Sequence, residues 1–283
     1  MVYSNLSPMQ ELLKAPGIRF KYGKFTWLGA LKGAPLMLFS RVDVVPGGIK
    51  KPADIVKAKK LILLGQRPDA NLDLVARPAL DLFGLKYIYV PGYRGAVPRR
   101  AAMRRNEGNV TAHGLNGWRS GVEPTMGKQG IVVPLWYYPA KDGAGNYIPS
   151  PEIKKFPSIL KVYREVFGKD PSGPYWDALN LAMNFRAASS NAFLAPPNTN
   201  KAAAAAFRKG FQGMMQDPDM KAALNKTTGF VMKPAKLEDV LNVFATLDQI
   251  DPKLTQFWKD YIADGGKAKK APKSKRGGKR KKK

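Results

Sequence analysis

The residues with the types and spacing to do chemistry in this chain are arginines, lysines and glycines, and the chemistry they suit is anion binding. Arg99, Arg100, Arg104 and Arg105 fall at i, i+1, i+5 and i+6. On a helix those positions gather into one guanidinium-rich surface, which Arg94 and Arg119 can extend. No acidic residue lies between the four. The patch therefore reads either as a solvated face or as a contact for a polyanion. Gly92-Tyr93-Arg94-Gly95 stands between a strand pattern and a helix pattern. Backbone N–H groups there can hold an anion, although the same glycines also suit a tight strand–helix turn. Lys50, Lys51, Lys57, Lys59 and Lys60 form a second basic cluster of a kind common on protein surfaces.

The strongest basic signal is the C-terminal stretch from Lys267 to Lys283. It includes Lys269, Lys270, Lys273, Lys275, Arg276, Lys279, Arg280 and Lys281, with 11 basic residues and no acidic one. Its Gly, Pro, Ser and Lys content cannot bury a core, so it reads as a disordered arm in the absence of a partner. The 283 residues carry 48 Lys plus Arg against 21 Asp plus Glu, a net charge of +27; without the arm, +16 remains on the first 266 residues. A field of that size attracts polyanions, because Lys and Arg contacts to phosphate release counterions whatever the base sequence.

Catalysis has little to work with. His113 is the sole histidine, with no cysteine partner and no spaced acid pair, so a thiolate metal site is excluded and a nucleophile–base dyad or a histidine metal site would need more than the chain shows. His113 reads as a structural or surface residue. Glu238 and Asp239 stand at a helix start, where carboxylates complement the dipole. A non-enzymatic protein without cofactor or metal is the expectation.

The elements that must position these groups follow from periodicity. Residues 35–42, 61–64, 87–90, 110–112 and 131–137 read as strands, and residues 51–54, 72–83 and 98–105 as helices. This alternation predicts an α/β fold with a mainly parallel sheet and helices on both faces. Residues 139–175, rich in Pro, Gly and Lys, read as long surface connections. Thr199 is a candidate N-cap for a helix over 201–216, which Asp217-Pro218 stops. Two further helices follow over 236–249 and 252–263, and Gly265-Gly266 breaks into the basic arm. No run of 18 apolar residues is present, and the first 17 residues lack the basic start and apolar run of a secretory signal.

The order of these segments resembles the receptor proteins of tripartite tricarboxylate transporters, bacterial periplasmic proteins that bind small carboxylates between two lobes. The stretches that carry the resemblance are Lys24-Phe25-Thr26-Trp27-Leu28-Gly29, Lys51-Pro52-Ala53-Asp54-Ile55, the strand ending at Gly65, and Val90-Pro91-Gly92-Tyr93-Arg94-Gly95. Ala102-Met103-Arg104-Arg105-Asn106-Glu107-Gly108, Phe193-Leu194-Ala195-Pro196-Pro197 and Met215-Gln216-Asp217-Pro218 follow in the same order. The resemblance implies a periplasmic-binding-protein-like (type II) α/β fold with an incomplete first lobe. Residues 1–35 and 191–264 would form that lobe, 36–190 the second lobe, and 265–283 the arm. It also implies a ligand loop at Gly65, Gly92, Tyr93 and Gly95.

The departures point elsewhere. In the family a glycine-rich loop follows the strand that here ends at Gly65; this chain has Gln66-Arg67-Pro68-Asp69-Ala70-Asn71 instead, and Asn109 stands where an acidic residue is usual. A proline cannot donate to a carboxylate, so the loop reads as vestigial and small-carboxylate binding as lost. Together with the basic arm, this predicts a structural component of a ribonucleoprotein, such as an organellar ribosome. Its partners would be ribosomal RNA and neighbouring proteins, in a mitochondrial interior. The alternatives are a periplasmic carboxylate receptor serving membrane transporter subunits, and a basic protein that binds DNA or a membrane surface.

Overall fold

The computed structural model describes residues 2–5, 7–141, 146–148, 153, 155–188, 191–229 and 232–266. The elements in chain order are β1 (Val2–Asn5), α1 (Pro8–Leu12), β2 (Thr26–Leu31), β3 (Leu36–Arg41), β4 (Leu61–Leu64), α2 (Asp73–Leu82), β5 (Tyr87–Val90), α3 (Ala96–Arg104) and β6 (Val110–Gly114). Next come α4 (Leu115–Gly117), which runs into a π-helical stretch Trp118–Gly127, then β7 (Val132–Tyr137), β8 (Ala140–Lys141) and β9 (Tyr147–Ile148). The chain continues with α5 (Ile159–Phe167), α6 (Pro174–Ala188), β10 (Asn191–Ala195), α7 (Lys201–Gln216), α8 (Pro218–Thr228), α9 (Leu237–Ala245) and α10 (Pro252–Gly266).

The central sheet has the order β5-β4-β6-β3-β7. β4 runs parallel to β5 and β6, while β3 is antiparallel to both β6 and β7. Four of its five strands thus run the same way, as the β–α alternation predicts, and β3 alone is reversed, which makes the sheet mixed. The reason is topological: β3 enters the sheet between β6 and β7, and strand direction is not encoded in hydrophobic period. A second sheet has the order β1-β10-β2, all antiparallel.

Both faces of the central sheet are covered. On β3, Leu36 and Leu38 face one core with Leu61, Leu63, Leu74 and Leu135, while Met37 and Phe39 face another with Met103, Trp118, Val122 and Met126. This is the period-two alternation of a strand buried on both sides. β6 follows it: Val110 and Ala112 enter the first core, which leaves Thr111 and His113 on the side of α3. Each large apolar side chain so enclosed stabilises the fold by about 1.5–3 kcal/mol.

Several local expectations change. The stretch 139–175 is not all connection: Ser158 caps α5 by accepting from Lys161 N at 3.3 Å, and α5 buries Ile159, Leu160, Val162 and Tyr163. Asn200, not Thr199, caps α7, its side chain accepting from Ala203 N at 3.1 Å. Gly265 does not break α10 but lies inside it, where the absence of a side chain lets the Arg77 guanidinium approach the helix. The basic-arm residues Lys269, Lys270, Lys273, Lys275, Arg276, Lys279, Arg280 and Lys281 lie outside the described residues.

Candidate functional site

β4 and β5 run parallel and end together at Leu64 and Val90, while β6, parallel to β4, starts beside Leu63 and runs on past them to Gly114. The carboxyl ends of parallel strands in an open α/β sheet are where ligands lodge, because the loops there diverge and leave a crevice. A cleft of about 390 Å³ opens at this edge. The loop after β4 supplies Gln66, Arg67, Asp69 and Asn71; α3 supplies Arg99; the end of β6 and α4 supply His113, Gly114 and Asn116. Ser7 and Gln10 of the α1 region and Arg186 of α6 close it from the other side.

The loop after β4 is held by a buried carboxylate. Asp73, the first residue of α2 and only 2% exposed, accepts from Gln66 N at 2.9 Å and Arg67 N at 3.1 Å. Burial pushes its carboxyl up to about 6, opposed by those two N–H groups and by the positive charges of Arg99 and Arg77. The amides of Gln66 and Arg67 therefore already have their acceptor, and the arginine side chains offer the charged donors for an anion in the cleft. Gly65 makes this possible: a Cβ there would overlap the Tyr89 ring and the Asp73 carboxylate.

Three guanidinium groups line the cleft. Arg67 donates from Nε to Asp69 at 2.7 Å. Arg99 is 3% exposed and donates from Nε to Gly95 O at 3.1 Å. Burial lowers its pKa, while the negative charge of Asp73 opposes that. Arg186 has its Nε closed off from solvent and without a hydrogen-bond partner. Burial brings its pKa down to about 10, so it stays charged at neutral pH. His113 is 1% exposed, with Nε2 unpartnered, and packs edge-on against Phe39 at 5.2 Å. Burial first, and the charges of Arg99 and Arg100 second, push it down to about 3, so the imidazole is neutral. Among the described residues no group of three His, Cys, Asp or Glu could hold a metal ion, and no helix is long and apolar enough to cross a membrane.

The arginines foreseen as one surface are dispersed. Successive helix residues point about 100° apart, so Arg99 turns inward with Ala102 and Met103 while Arg100 packs against Gly121. Arg104 reaches Gln129 at 3.2 Å, and Arg105 pairs with Glu107 at 2.6 Å. Arg119 donates to Gly229 O at 2.6 Å, and Arg94 is exposed. The Gly92–Gly95 loop spends its first two amides on the neighbouring loop: Gly92 N donates to Gln66 O and Tyr93 N to Gly65 O, at 2.9 and 3.0 Å. Gly92 and Gly95 have φ of 111° and 89°, a left-handed region that favours glycine. They shape a turn, and the Tyr93 hydroxyl donates to Glu107 at 3.3 Å. Asn109 accepts from Ile62 N and donates to Lys60 O, joining β6 to the start of β4. In the lysine cluster, Lys57 pairs with Asp54 and Lys51 with Glu165, both at 2.8 Å.

Arg186 and Asp73 escape sequence reasoning, and His113 reads there as structural. Arg186 sits in an unremarkable helical stretch, Ala182-Met183-Asn184-Phe185-Arg186, with no motif around it. Only the approach of α6 to the strand ends brings it to the cleft.

No family model matches the chain, and no curated protein matches it by sequence. Solved structures do match its fold. The periplasmic binding protein BugD aligns over 92% of this chain and 76% of its own, at 17% identity and a TM-score of 0.59. MatC from Rhodopseudomonas palustris, solved with bound malate, aligns over 92% and 78%, at 14% identity and 0.57. A TctC solute binding protein from Polaromonas aligns over 93% and 77%, at 13% identity and 0.57. These neighbours are solute-binding proteins, and they correct the ribonucleoprotein expectation. The reading as an RNA-binding ribosomal component of a mitochondrial interior is set aside on these neighbours. Beside the loop read as vestigial a cleft is present, with arginine, amide and imidazole side chains in its lining. The chain has the α/β fold of periplasmic solute-binding proteins and is structurally similar to those of the TctC and BugD type.

Proposed function

We propose that this protein is a non-enzymatic receptor that holds a small carboxylate in the cleft at the ends of β4, β5 and β6 and presents it to a membrane transporter in the periplasm. The observation that carries the reading is the convergence of Arg67, Arg99, Arg186 and neutral His113 on one cleft of about 390 Å³. That volume lies within the usual range for a small-molecule site, about 300–1,000 Å³. Guanidinium groups match the planar geometry of a carboxylate and bind it through paired N–H donors. In this reading the β1-β10-β2 sheet with α7 to α10 belongs to one lobe and residues 36–190 to the other.

Isothermal titration with a panel of small mono- and dicarboxylates, malate among them, tests the proposal. At least one should bind with a dissociation constant of about 100 µM or tighter, equivalent to about 5.5 kcal/mol. Absence of saturable heat across the panel at millimolar ligand refutes it.

A further inference from the structure

The charges lining the cleft do not cancel. Arg67 is matched by Asp69, which sits 2.7 Å away and also accepts from Gln10 at 3.0 Å. Arg99 makes no ion pair among the described residues but is balanced through space by Asp73, whose negative charge acts on it most strongly among its charged neighbours. Arg186 has no such partner: among the described residues no carboxylate lies within ion-pair distance of it, and its buried Nε makes no hydrogen bond. The lining thus leaves one cation over.

The rest of the lining is neutral. Gln10, Gln66, Asn116 and Ser7 present amides and a hydroxyl. His113, buried beside them, is an uncharged imidazole with one donor and one acceptor. Gly114 joins the two halves of this lining: a Cβ there would lie 2.6 Å from Asn116 Oδ1 and 3.9 Å from Arg186 Nη2.

We infer that the cleft selects a carboxylate of single negative charge whose far end is uncharged and polar, with Arg186 holding the carboxylate and His113 reading the neutral group. This rests on the receptor reading and narrows its ligand class. A guanidinium without a counter-charge, its Nε closed off from solvent, is unfavourable, and a ligand carboxylate supplies the missing charge and acceptor. A second carboxylate would meet no free cation and would sit near the side chains of Asp69 and Asp73. An amide, hydroxyl or carbonyl can satisfy the imidazole and the side-chain amides without adding charge.

The test compares diacids with their monoamides, which keep size and shape but remove one charge. Titration of the full chain at pH 7.5 with succinate against succinamate, and adipate against adipamate, should show the monoamide binding at least ~10-fold tighter in one pair. Arg186→Met should remove that binding and Arg186→Lys should retain part of it, with circular dichroism confirming that both fold. An independent variant reverses the preference: Asp69→Asn frees Arg67, so the diacid should gain ~10-fold relative to its monoamide. Diacids binding as tightly as monoamides, or an unchanged preference in Asp69→Asn, overturns the charge accounting while leaving the receptor reading intact. If none of these ligands binds, and the wider carboxylate panel also fails, the receptor reading and this inference fall together.

Discussion

Asp73→Asn separates the charge of the buried carboxylate from its hydrogen bonds. A single oxygen of Asp73 accepts from both Gln66 N and Arg67 N. The asparagine oxygen can keep both bonds, so the substitution mimics the protonated acid. The folded-state pKa is raised from 3.8 to about 6, with burial the first cause. A group raised in the folded state contributes stability that is fully present below its unfolded pKa and is lost as pH rises through the folded one. Here the window runs from about pH 4 to about pH 6. At 1.36 kcal/mol per unit the full swing is about 3 kcal/mol, of which about 2 kcal/mol separates pH 7 from pH 4.5. Wild type should therefore gain about 2 kcal/mol on Asp73→Asn between those two pH values. Urea unfolding of both proteins at each pH measures the difference, and the comparison removes the contributions of every other titrating group. Parallel pH profiles, within about 0.5 kcal/mol, would refute the argument that burial dominates at Asp73.

Two further outcomes follow from the packing around the same helix. Gly65→Ala places a Cβ against the Tyr89 ring and the Asp73 carboxylate, both buried, and should cost about 1–3 kcal/mol by overpacking; an unchanged urea midpoint would show that the β4 loop yields freely. Arg77 lies between the rings of Tyr89 and Tyr261, 4.9 and 4.3 Å from their centroids, and donates to Tyr261 O at 3.0 Å. Arg77→Met should cost about 2–3 kcal/mol by leaving Asp73 and Asp81 without this cation, and hydrogen exchange should quicken in α10 but not in β3. Equal exchange in both elements would place the effect elsewhere.

Much of the central sheet was legible from the chain, because its strands are short apolar runs bounded by turns. Tyr87–Val90 and Leu61–Leu64 emerge with the boundaries expected, and α2 and α3 within two residues. What stayed hidden has a common cause. The antiparallel entry of β3 depends on which neighbour it pairs with. The inward turn of Arg99 depends on which face of α3 meets β6. Composition registers net charge but not cancellation, so Arg105 looked free while Glu107, two residues on, pairs with it. The cleft is the clearest case. Its members come from α1, the β4 loop, α3, β6 and α6, and Arg186 lies 73 positions beyond His113 in the chain.

Residue types and local period by themselves determined the α/β class, the strands of the central sheet, the helices α2, α3 and α7, the absence of thiol chemistry and the strong positive charge. These are properties of short windows and of sums along the chain. Only the tertiary structure decided where the charge is usable. The loop amides after β4 are taken by Asp73, the arginines of α3 divide between core and surface, and one guanidinium from α6 is left facing a cleft without a counter-charge. Burial and pairing set the worth of an ionisable group, and both depend on neighbours that the fold brings from far along the chain.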